Sequence, residues 1–366
     1  MRHKFIFGGL DSSTHDVWIS GEGTFDSPER DVQRVAVPGR NGELIIDNGR
    51  WKNIEVSYPA FTPSGFDTSF PGFRAAICRK RGYQRLEDDY HPDEYRMASF
   101  INAIQPNAHF LNDSANFTLV FNCKPQRFLK SGDVPLQFMP IIALGPAEYS
   151  SRFMPIDGED LEFKLHCPVG DTLTVTVYTY DSSSTQLSST AYTCSDGDSN
   201  THTFSASDKY FRVFVSGMSD MDETYLEIKA DLTIGSIDAI MARTYNIKNP
   251  TGYESLPLIE VYSKALPRIT ISNYEDDQQY EYYDFSSNDT TATQLFMDCD
   301  MQYLYDSSKA NLTSYLVLTT MQSDIGEGLV FPRLGRDKIE LYMYYTTALA
   351  SDGCGLVNIY PRWYTI

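Results

Sequence analysis

Apolar and polar residues alternate in many short stretches of this chain, and a period of two is typical of half-buried β-strands. In the segment 116–123, Phe, Leu, Phe and Cys occupy every second position, with Asn and Thr among the residues between them. The pattern therefore predicts a mainly β protein. Strands are expected near residues 5–7, 16–19, 35–37, 44–46, 54–58, 116–123, 173–177, 210–215, 225–232, 338–343 and 356–360.

One segment has a helical period instead. Between Pro92 and Pro106, apolar residues recur at the i, i+3, i+4, i+7 spacing of one helix face. Pro92 suits the first position of a helix, because its missing N–H has no partner there in any case. A shorter helix is predicted just before it, over Gly72–Arg81. The apolar stripe, which we expect in the core, consists of Met97, Phe100, Ile101 and Ile104.

The order of these elements predicts several domains. Strands, then helices, then the strand at 116–123 indicate an α+β domain over residues 1–130. Over residues 140–240, short strands are separated by Gly, Pro, Ser, Thr and Asp turns without a helix, which is typical of a small β-sandwich. Strands continue in 131–139 and 241–366. The acidic run Tyr274–Asp284 is expected to be a turn or long loop.

Charge and cysteine usage exclude several classes of protein. The chain has 366 residues, with 49 acidic and 30 basic side chains and a net charge of -19, which argues against a surface selected to bind DNA or an anionic membrane. Its six cysteines are dispersed without a C-x-x-C pair, so neither a zinc site nor any other metal or cofactor is expected. The apolar run at the N-terminus is too short for a signal peptide, which favours synthesis in a cytoplasm.

Motifs for catalysis are weak. His91, Asp93 and Glu94 could bind a metal, but a helix that begins at Pro92 would point them apart, and a role for the carboxylates at the helix N-terminus is favoured. The sequence contains no nucleophile elbow and no glycine-rich nucleotide loop. A carboxylate pair for glycoside hydrolysis is defined by its separation in space, which a sequence does not give. We therefore expect no catalytic residues, with an enzyme kept as an alternative.

Aromatic residues are abundant, with 25 Tyr and 21 Phe. Tyrosine suits strands and interfaces, where one end of its ring is apolar and the other meets water. In segment 140–240 such residues would also suit a site that stacks on sugars, although each equally fits the face of a sheet. The candidate glycan-binding residues are Tyr178, Tyr180, Asp181 and Tyr192.

The segment Gly82–Asn107 resembles the fingerprint of distal tail proteins of siphophages and related prophages. Further resemblances follow in the family's order and cover the chain except for about 140–240. They lie at residues 117–125, 249–251, 256–262, 331–334 and 361–363. The fingerprint residues are Tyr83, Arg85, Leu86, Tyr90, His91, Pro92, Tyr95 and Arg96.

The resemblance implies a structural protein of the virion, at the distal end of a phage tail. Its N-terminal domain would close into a six-fold ring between the tail tube protein and the tail-associated tip protein, with no catalysis, no specific nucleic-acid binding and no membrane insertion. Residues 131–139 and 241–366 would form a galectin-like β-sandwich. Residues 140–240 would then be an inserted domain that binds host surface polysaccharide.

The resemblance also makes the insert a separable module. Its flanking strands, near Val134–Phe138 and Tyr245–Lys248, would be adjacent strands of one sandwich, so deleting 140–240 should leave a folded protein. The main alternative of another class is a free carbohydrate-binding protein, and the second alternative is a tail-tip enzyme.

Overall fold

A computed structural model describes residues 2–20, 25–145, 147–321, 331–345 and 353–366. The chain is mainly β, with 55% strand and 7% helix, as the alternation of apolar residues predicted. It forms two compact units, of which one comprises Met1–Gly132 with Tyr364–Ile366 and the other Asp133–Trp363. In the part of the chain that the structure describes, no helix is long and apolar enough to cross a membrane.

In its described residues, the first unit holds one α-helix, the first ten strands of the chain and the C-terminal strand Tyr364–Thr365. The elements in chain order are β1 (Phe5–Phe7), β2 (Leu10–Asp11), β3 (Trp18–Ile19), β4 (Arg30–Ala36), β5 (Glu43–Trp51), β6 (Ile54–Thr62), α1 (Phe66–Cys78), β7 (Gln84–Asp88), β8 (Glu94–Ser99), β9 (Asn107–His109) and β10 (Ser114–Leu129). Two short 3-10 turns, Ser12–His15 and Lys130–Asp133, complete it.

Most of these strands form one sheet, in the order β2-β1-β7-β8-β10-β6-β3, with β9 also on β10. Strand β10 is the longest strand of this sheet, and it pairs with β6 along nine residues, from Ala115 to Cys123. Helix α1 covers one face with Phe70, Phe73 and Ile77, which are buried. Phe70 packs edge-on against Phe117, with 5.2 Å between ring centroids. Aromatic packing therefore dominates this core.

The helix predicted at Gly72–Arg81 exists but begins earlier, since α1 spans Phe66–Cys78 with Pro71 inside it. Gly65 supplies the left-handed residue at its start, with φ of 68°. Gly82 also has a positive φ of 66°, but it lies four residues beyond the helix end and is not its cap. Residues 79–81, the last three of the predicted helix, therefore follow the helix.

The helix predicted after Pro92 is wrong, because the structure places strand β8 there. Pro92 lies in the turn between β7 and β8. In β8, Arg96 and Ala98 are buried while Tyr95 and Met97 are half-buried, so burial alternates with a period of two. The sequence does not show this period as an apolar alternation, because the buried residue Arg96 is charged. Backbone pairing with β7 and β10 outweighs the local helical spacing.

The apolar stripe assigned to that helix is therefore not one face. Phe100 is buried and packs near Phe121, whereas Ile101 is 77% exposed. Met97 and Ile104 are half-buried, and Ile104 contacts the edge of the core. Of the four residues, only Phe100 occupies the core as predicted.

The second unit is built from nineteen strands in the residues that the structure describes, with a 3-10 turn at Thr313–Tyr315. The strands up to the middle of the unit are β11 (Leu136–Pro140), β12 (Ile142–Gly145), β13 (Glu148–Ser150), β14 (Met154–His166), β15 (Thr172–Tyr180), β16 (Gln186–Ser195), β17 (Ser199–Thr203), β18 (Tyr210–Ser216), β19 (Tyr225–Leu232) and β20 (Gly235–Ala242). The remaining strands are β21 (Thr244–Lys248), β22 (Leu258–Val261), β23 (Arg268–Glu275), β24 (Gln278–Ser287), β25 (Leu295–Asp298), β26 (Tyr303–Asp306), β27 (Leu316–Met321), β28 (Lys338–Tyr344) and β29 (Val357–Tyr360).

These strands form three layers, and the first layer is one long sheet. The long sheet runs β17-β14-β19-β20-β11-β29-β22-β25-β26. Strands β12, β13, β18, β15 and β16 form a second layer, to which the first residues of β14 also pair before a bulge takes β14 into the long sheet. The third layer is a separate sheet in the order β21-β28-β23-β24-β27.

Strand β11 faces two cores. Met139 belongs to the core that the inserted strands share with Leu356, near β29. Its neighbour Phe138 points the other way, where its ring centroid lies 5.5 Å from that of Tyr245 on β21. Strand β20, from the insert, pairs in parallel with β11 from Gln137 to Pro140. The insert is therefore continuous with the long sheet.

The flanks of the insert differ from the expectation that they are adjacent strands. Strand β11 lies in the long sheet, whereas β21 lies in the five-stranded sheet and pairs only with β28 among the described strands. The expected adjacency was wrong because β20 occupies the position beside β11.

The acidic run Tyr274–Asp284, expected to be a loop, is instead the hairpin of β23 and β24. Asp276 and Asp277 both have positive φ, 50° and 59°, as a tight turn with the strand twist requires. Asp284 is buried and accepts a hydrogen bond from Arg268 Nε at 3.0 Å. Turn geometry and this ion pair explain how so acidic a segment forms two strands.

Candidate functional site

The fingerprint segment forms a hydrogen-bonded hairpin end around Asp88. Asp88 Oδ1 accepts from the backbone N–H groups of Tyr90 and His91 at 3.0 and 2.9 Å. Its Oδ2 accepts from the hydroxyl of Tyr58 at 2.6 Å. Burial, followed by the charge of Asp88, raises the pKa of Tyr90. The geometry of this short turn is thus fixed by one carboxylate.

A second layer of contacts joins β7, β8 and β10. The guanidinium of Arg85 lies 3.7 Å from the ring centroid of Tyr95, and Tyr95 stacks on Phe128. Arg85 and Lys130 both donate to Glu87, at 2.6 Å each. Burial alone would raise the pKa of Glu87, but these hydrogen bonds outweigh it and lower that pKa. The contacts stabilise the hairpin against the sheet.

Arg96 is the most deeply placed charge of the fingerprint. It is 7% exposed, its Nη1 donates to the carbonyl of Pro125, and burial lowers its pKa. Leu86 is buried, whereas Tyr83 and Pro92 are exposed. A cavity of about 10 Å³ beside Asp88, His91 and Arg96 has the volume of one water molecule. The fingerprint thus has the geometry of a structural cluster rather than of a ligand pocket.

Three consecutive exposed apolar residues of the first unit lie on the hairpin β4–β5, which we call the arm (residues 30–51). It forms a two-stranded sheet of its own, with no other strand of the described chain beside it. Leu44, Ile45 and Ile46 are 52%, 63% and 44% exposed. Arg30 Nη1 donates to Asp47 Oδ2 at 3.0 Å, and Arg50 Nε donates to Asp31 Oδ2 at 2.6 Å. Cross-strand ion pairs therefore hold the arm together.

Two of the four candidate glycan residues lie on one face of the insert. Tyr178 and Tyr180 alternate on β15 with Val177 and Thr179, which are buried, so both rings lie on the outer face. Tyr180 lies opposite Tyr210 on β18, and its ring centroid is 4.7 Å from that of Phe153. We call the outer surface of β16, β15, β18 and β13 the aromatic face.

The other two candidates lie elsewhere. Tyr192 pairs with Val175 and points inward, where its ring lies edge-on to Phe163 and its hydroxyl is 3.0 Å from His202 Nδ1. Asp181 accepts from the N–H groups of Ser183 and Thr185, at 2.8 Å each, and so holds the turn between β15 and β16. The structure therefore brings Tyr178 and Tyr180 together, and separates Tyr192 from them.

The family motif at 249–251 is also a structural contact. Asn249 is 5% exposed, and its side-chain amide donates to the carbonyls of Tyr253 and Gly335 at 2.8 and 2.6 Å. Its oxygen accepts from the N–H of Thr251 at 2.8 Å. Asn249 thus joins two loops of the second unit.

The chain is similar over nearly its whole length to solved phage structures. The SPP1 Dit protein, described as a paradigm of the hub adsorption apparatus in phages that infect Gram-positive bacteria, aligns over 98% of both chains with 8% identity and a TM-score of 0.47. Chains of the phage P2 baseplate in its activated conformation, with calcium and with strontium, align over 98% of this chain and 97% of theirs, with 9% identity and TM-scores of 0.37.

Comparisons at the level of sequence found nothing similar. No protein-family model matches the chain, and no curated protein matches it.

Sequence reasoning missed two features of these surfaces. Arg212, on the aromatic face, lies in the strand expected at 210–215, and nothing in its neighbours marks it as part of a site. The arm was predicted only as strands near 35–37 and 44–46. The run Leu44-Ile45-Ile46 was a signal for it, since three consecutive apolar residues on an unpaired hairpin must expose at least one.

Proposed function

We propose that this protein is a structural component of a phage tail tip, located in the virion at the distal end of the tail and made in the cytoplasm of the host bacterium. Its N-terminal domain, residues 1–130, forms a six-fold ring that joins the tail tube protein to the tail-associated tip protein. Residues 131–139 and 241–366 form a galectin-like sandwich, and 140–240 is an inserted domain. The protein catalyses no reaction and needs no cofactor.

The observation that carries ring formation is the arm. An isolated two-stranded hairpin is marginally stable in water, and the arm exposes three large apolar side chains in a row. Burying such side chains is worth about 25 cal/mol per Å² of apolar surface. A surface that pairs with or covers the arm therefore stabilises it, and in this proposal that surface belongs to the next copy of the chain.

A contact of this kind generates a ring by symmetry. The arm is one patch and the surface that receives it is a different one, so the interface is heterologous, and it closes into a ring when the rotation per subunit divides the circle. Charge favours the contact, because the arm carries four arginines and three acidic residues in a chain whose net charge is -19. The sequence fingerprint of distal tail proteins supports the six-fold order.

Substitution in the arm tests the ring. We expect Ile45→Asp to abolish assembly of the full-length protein, alone or with co-expressed tail proteins, since it places a charge in the proposed interface. Light scattering and negative-stain images would report rings for the parent chain and monomers for the variant. The thermal midpoint of the monomer should change little, because Ile45 is already 63% exposed.

Ile101→Asp is the matched control, because Ile101 is another exposed isoleucine of the first unit, outside the arm. It should leave assembly intact. A parent chain that stays monomeric even in virions, or an Ile45→Asp variant that still forms rings, would refute ring formation through the arm.

A second function is proposed for the insert, which is binding of host surface polysaccharide. The observation that favours it is the aromatic face, where Tyr178 and Tyr180 present half-buried rings beside Ser and Thr side chains. Several copies on one ring would make later contacts intramolecular, so that avidity exceeds the single-site affinity by about 10²–10⁴.

Two experiments separate the proposed function from its alternatives. A free carbohydrate-binding protein would bind glycan as a monomer, which particle images would show. A tail-tip enzyme would hydrolyse host wall polymer, which a hydrolysis assay would detect.

A further inference from the structure

The aromatic face differs from the rest of this acidic protein in its charge. Its strands carry mainly hydroxyl and aromatic side chains outward, with Thr174, Thr176 and Tyr178 on β15 paired across to Ser216, Phe214 and Arg212 on β18. Glu148 on β13 is paired with Ser216, which lies four residues along β18 from Arg212. Arg212 is therefore a cation in the middle of a nearly neutral surface.

The guanidinium of Arg212 is held by neutral groups. Its Nη2 donates to Ser150 Oγ at 2.6 Å, and its Nε donates to the carbonyl of Ser151 at 3.3 Å. Both serines are buried, and the ring of Phe153 lies 5.2 Å below the guanidinium carbon. Within the described residues, no carboxylate lies within ion-pair distance of Arg212. Its positive charge is fixed in place, and no acidic side chain of the described residues forms an ion pair with it.

Tyr180 is part of the same arrangement. Burial raises the pKa of its hydroxyl, and a hydrogen bond with Arg212 lowers that pKa by a smaller amount. The neutral phenol and the guanidinium thus lie side by side, with Tyr178 directly across the strand pair from Arg212. A ring for stacking, a hydroxyl and a planar cation occur within three adjacent positions of one face.

We infer that the aromatic face binds an acidic polysaccharide, with Arg212 as the residue that pairs with its carboxylate or phosphate groups and Tyr178 and Tyr180 as the rings that contact its sugars. A guanidinium presents a rigid fork of N–H groups that matches the oxygens of either anion. Aromatic rings on a sheet supply apolar contact for the sugar rings. This inference rests on the proposed glycan-binding function of the insert and is independent of ring formation.

The test compares two acidic polymers with a neutral one. Full-length protein would be measured by a biosensor on immobilised polygalacturonate, on its methyl ester, and on a purified teichoic acid, which supplies phosphate in place of carboxylate. We expect at least tenfold tighter binding to one or both acidic polymers than to the ester. We also expect that preference to weaken as salt rises, because exposed charges are screened.

Variants assign the preference to Arg212. Arg212→Gln should remove the difference between acid and ester, whereas Tyr178→Ala should weaken binding to every polymer that is bound. Lys229→Gln, which removes an exposed cation of the insert that lies 3.6 Å from Asp238, is the control and should change nothing. Circular dichroism would show that each variant is folded.

The outcomes separate the two proposals. Binding to polygalacturonate and to teichoic acid that is in both cases no tighter than binding to the ester, or an Arg212→Gln variant that keeps the preference, would overturn the acidic-ligand inference while leaving a glycan-binding insert. Binding to none of the polymers would overturn both the acidic ligand and the glycan-binding function, and would leave the ring proposal untouched.

Discussion

His202 is a residue whose protonation should control the stability of the insert. It lies on β17, is 7% exposed, and its ring is edge-on to Phe204. Burial lowers its pKa, and the charge of Asp208 opposes that change only in part. In the unfolded chain, histidine takes up a proton near pH 6.5, whereas the buried His202 resists protonation.

The sign of the pH effect follows from linkage. Below about pH 6.5 the unfolded state binds more protons than the folded state, so the free energy of unfolding falls as the pH falls. The loss begins at the ordinary histidine pKa and ends below the lowered pKa of His202. We expect His202→Gln to be less sensitive to pH between 7.5 and 5.5 than the parent, as measured by urea unfolding. His109→Gln, at an exposed histidine, should keep the parent's dependence.

Phe100 and Ile101 give a residue-scale test of where the core lies. Phe100 is 7% exposed, and its ring centroid is 5.3 Å from that of Phe121. We expect Phe100→Ala to cost about 3–5 kcal/mol in the free energy of unfolding, as burial of a large aromatic ring implies. Ile101→Ala should cost no more than about 0.5 kcal/mol, the usual effect at an exposed position. Equal costs in denaturant unfolding would contradict the placement of Phe100 in the core and Ile101 outside it.

At the scale of elements, the β7–β8 hairpin depends on Asp88. Its carboxylate accepts from two backbone N–H groups of the turn and from Tyr58. Replacing it by alanine leaves the two turn N–H groups without that acceptor, so we expect Asp88→Ala to cost about 1–3 kcal/mol. Asp93→Ala changes an exposed aspartate of the same turn and should have little effect. The urea midpoints of both variants would measure this, and an unaltered midpoint for Asp88→Ala would argue against the network.

Elements with a plain alternation could be predicted from sequence, and those with a buried charge could not. The strand expected at 225–232 has those bounds in the structure, since its apolar and polar residues follow a strict period of two. Strand β8 was missed because Arg96 occupies an inward position, and because the apolar residues in and after the strand have the spacing of one helix face. The hairpin β23–β24 was missed because its acidic residues are paired or lie in the turn, which local composition does not reveal.

At the scale of the whole molecule, the shared strand β11 decides whether the insert can be removed. Deleting 140–240 removes β20, leaves the edge of β11 unpaired and uncovers Met139 and Leu356, which pack with the insert. We expect the deletion protein to be insoluble or to bind a hydrophobic dye strongly, because unpaired edges and exposed apolar surface promote aggregation. A soluble deletion protein with the parent's near-ultraviolet spectrum would show that the two cores are independent.

The candidate site shows what a sequence can and cannot supply at this scale. Tyr178 and Tyr180 were two of the four candidates chosen by residue type, and their two-residue spacing on a strand places them on one face. Their position beside Arg212 depends on the pairing of β15 with β18. The inward direction of Tyr192 depends on the pairing of β15 with β16. Such register is set by contacts between distant segments, which a single sequence without its fold does not specify.

The last strand of the chain, Tyr364–Thr365, pairs with Phe128 and Arg127 of β10 and so belongs to the first unit. Beyond Cys123, β6 no longer pairs with β10. The strand Tyr364–Thr365 takes its place there, on the edge of β10 opposite to β8. A ribosome that makes this protein must release the whole second unit before that pairing can form. Vectorial synthesis therefore delays completion of the first sheet until after the rest of the chain has emerged, and until then the edge of β10 near Arg127 stays open to other strands.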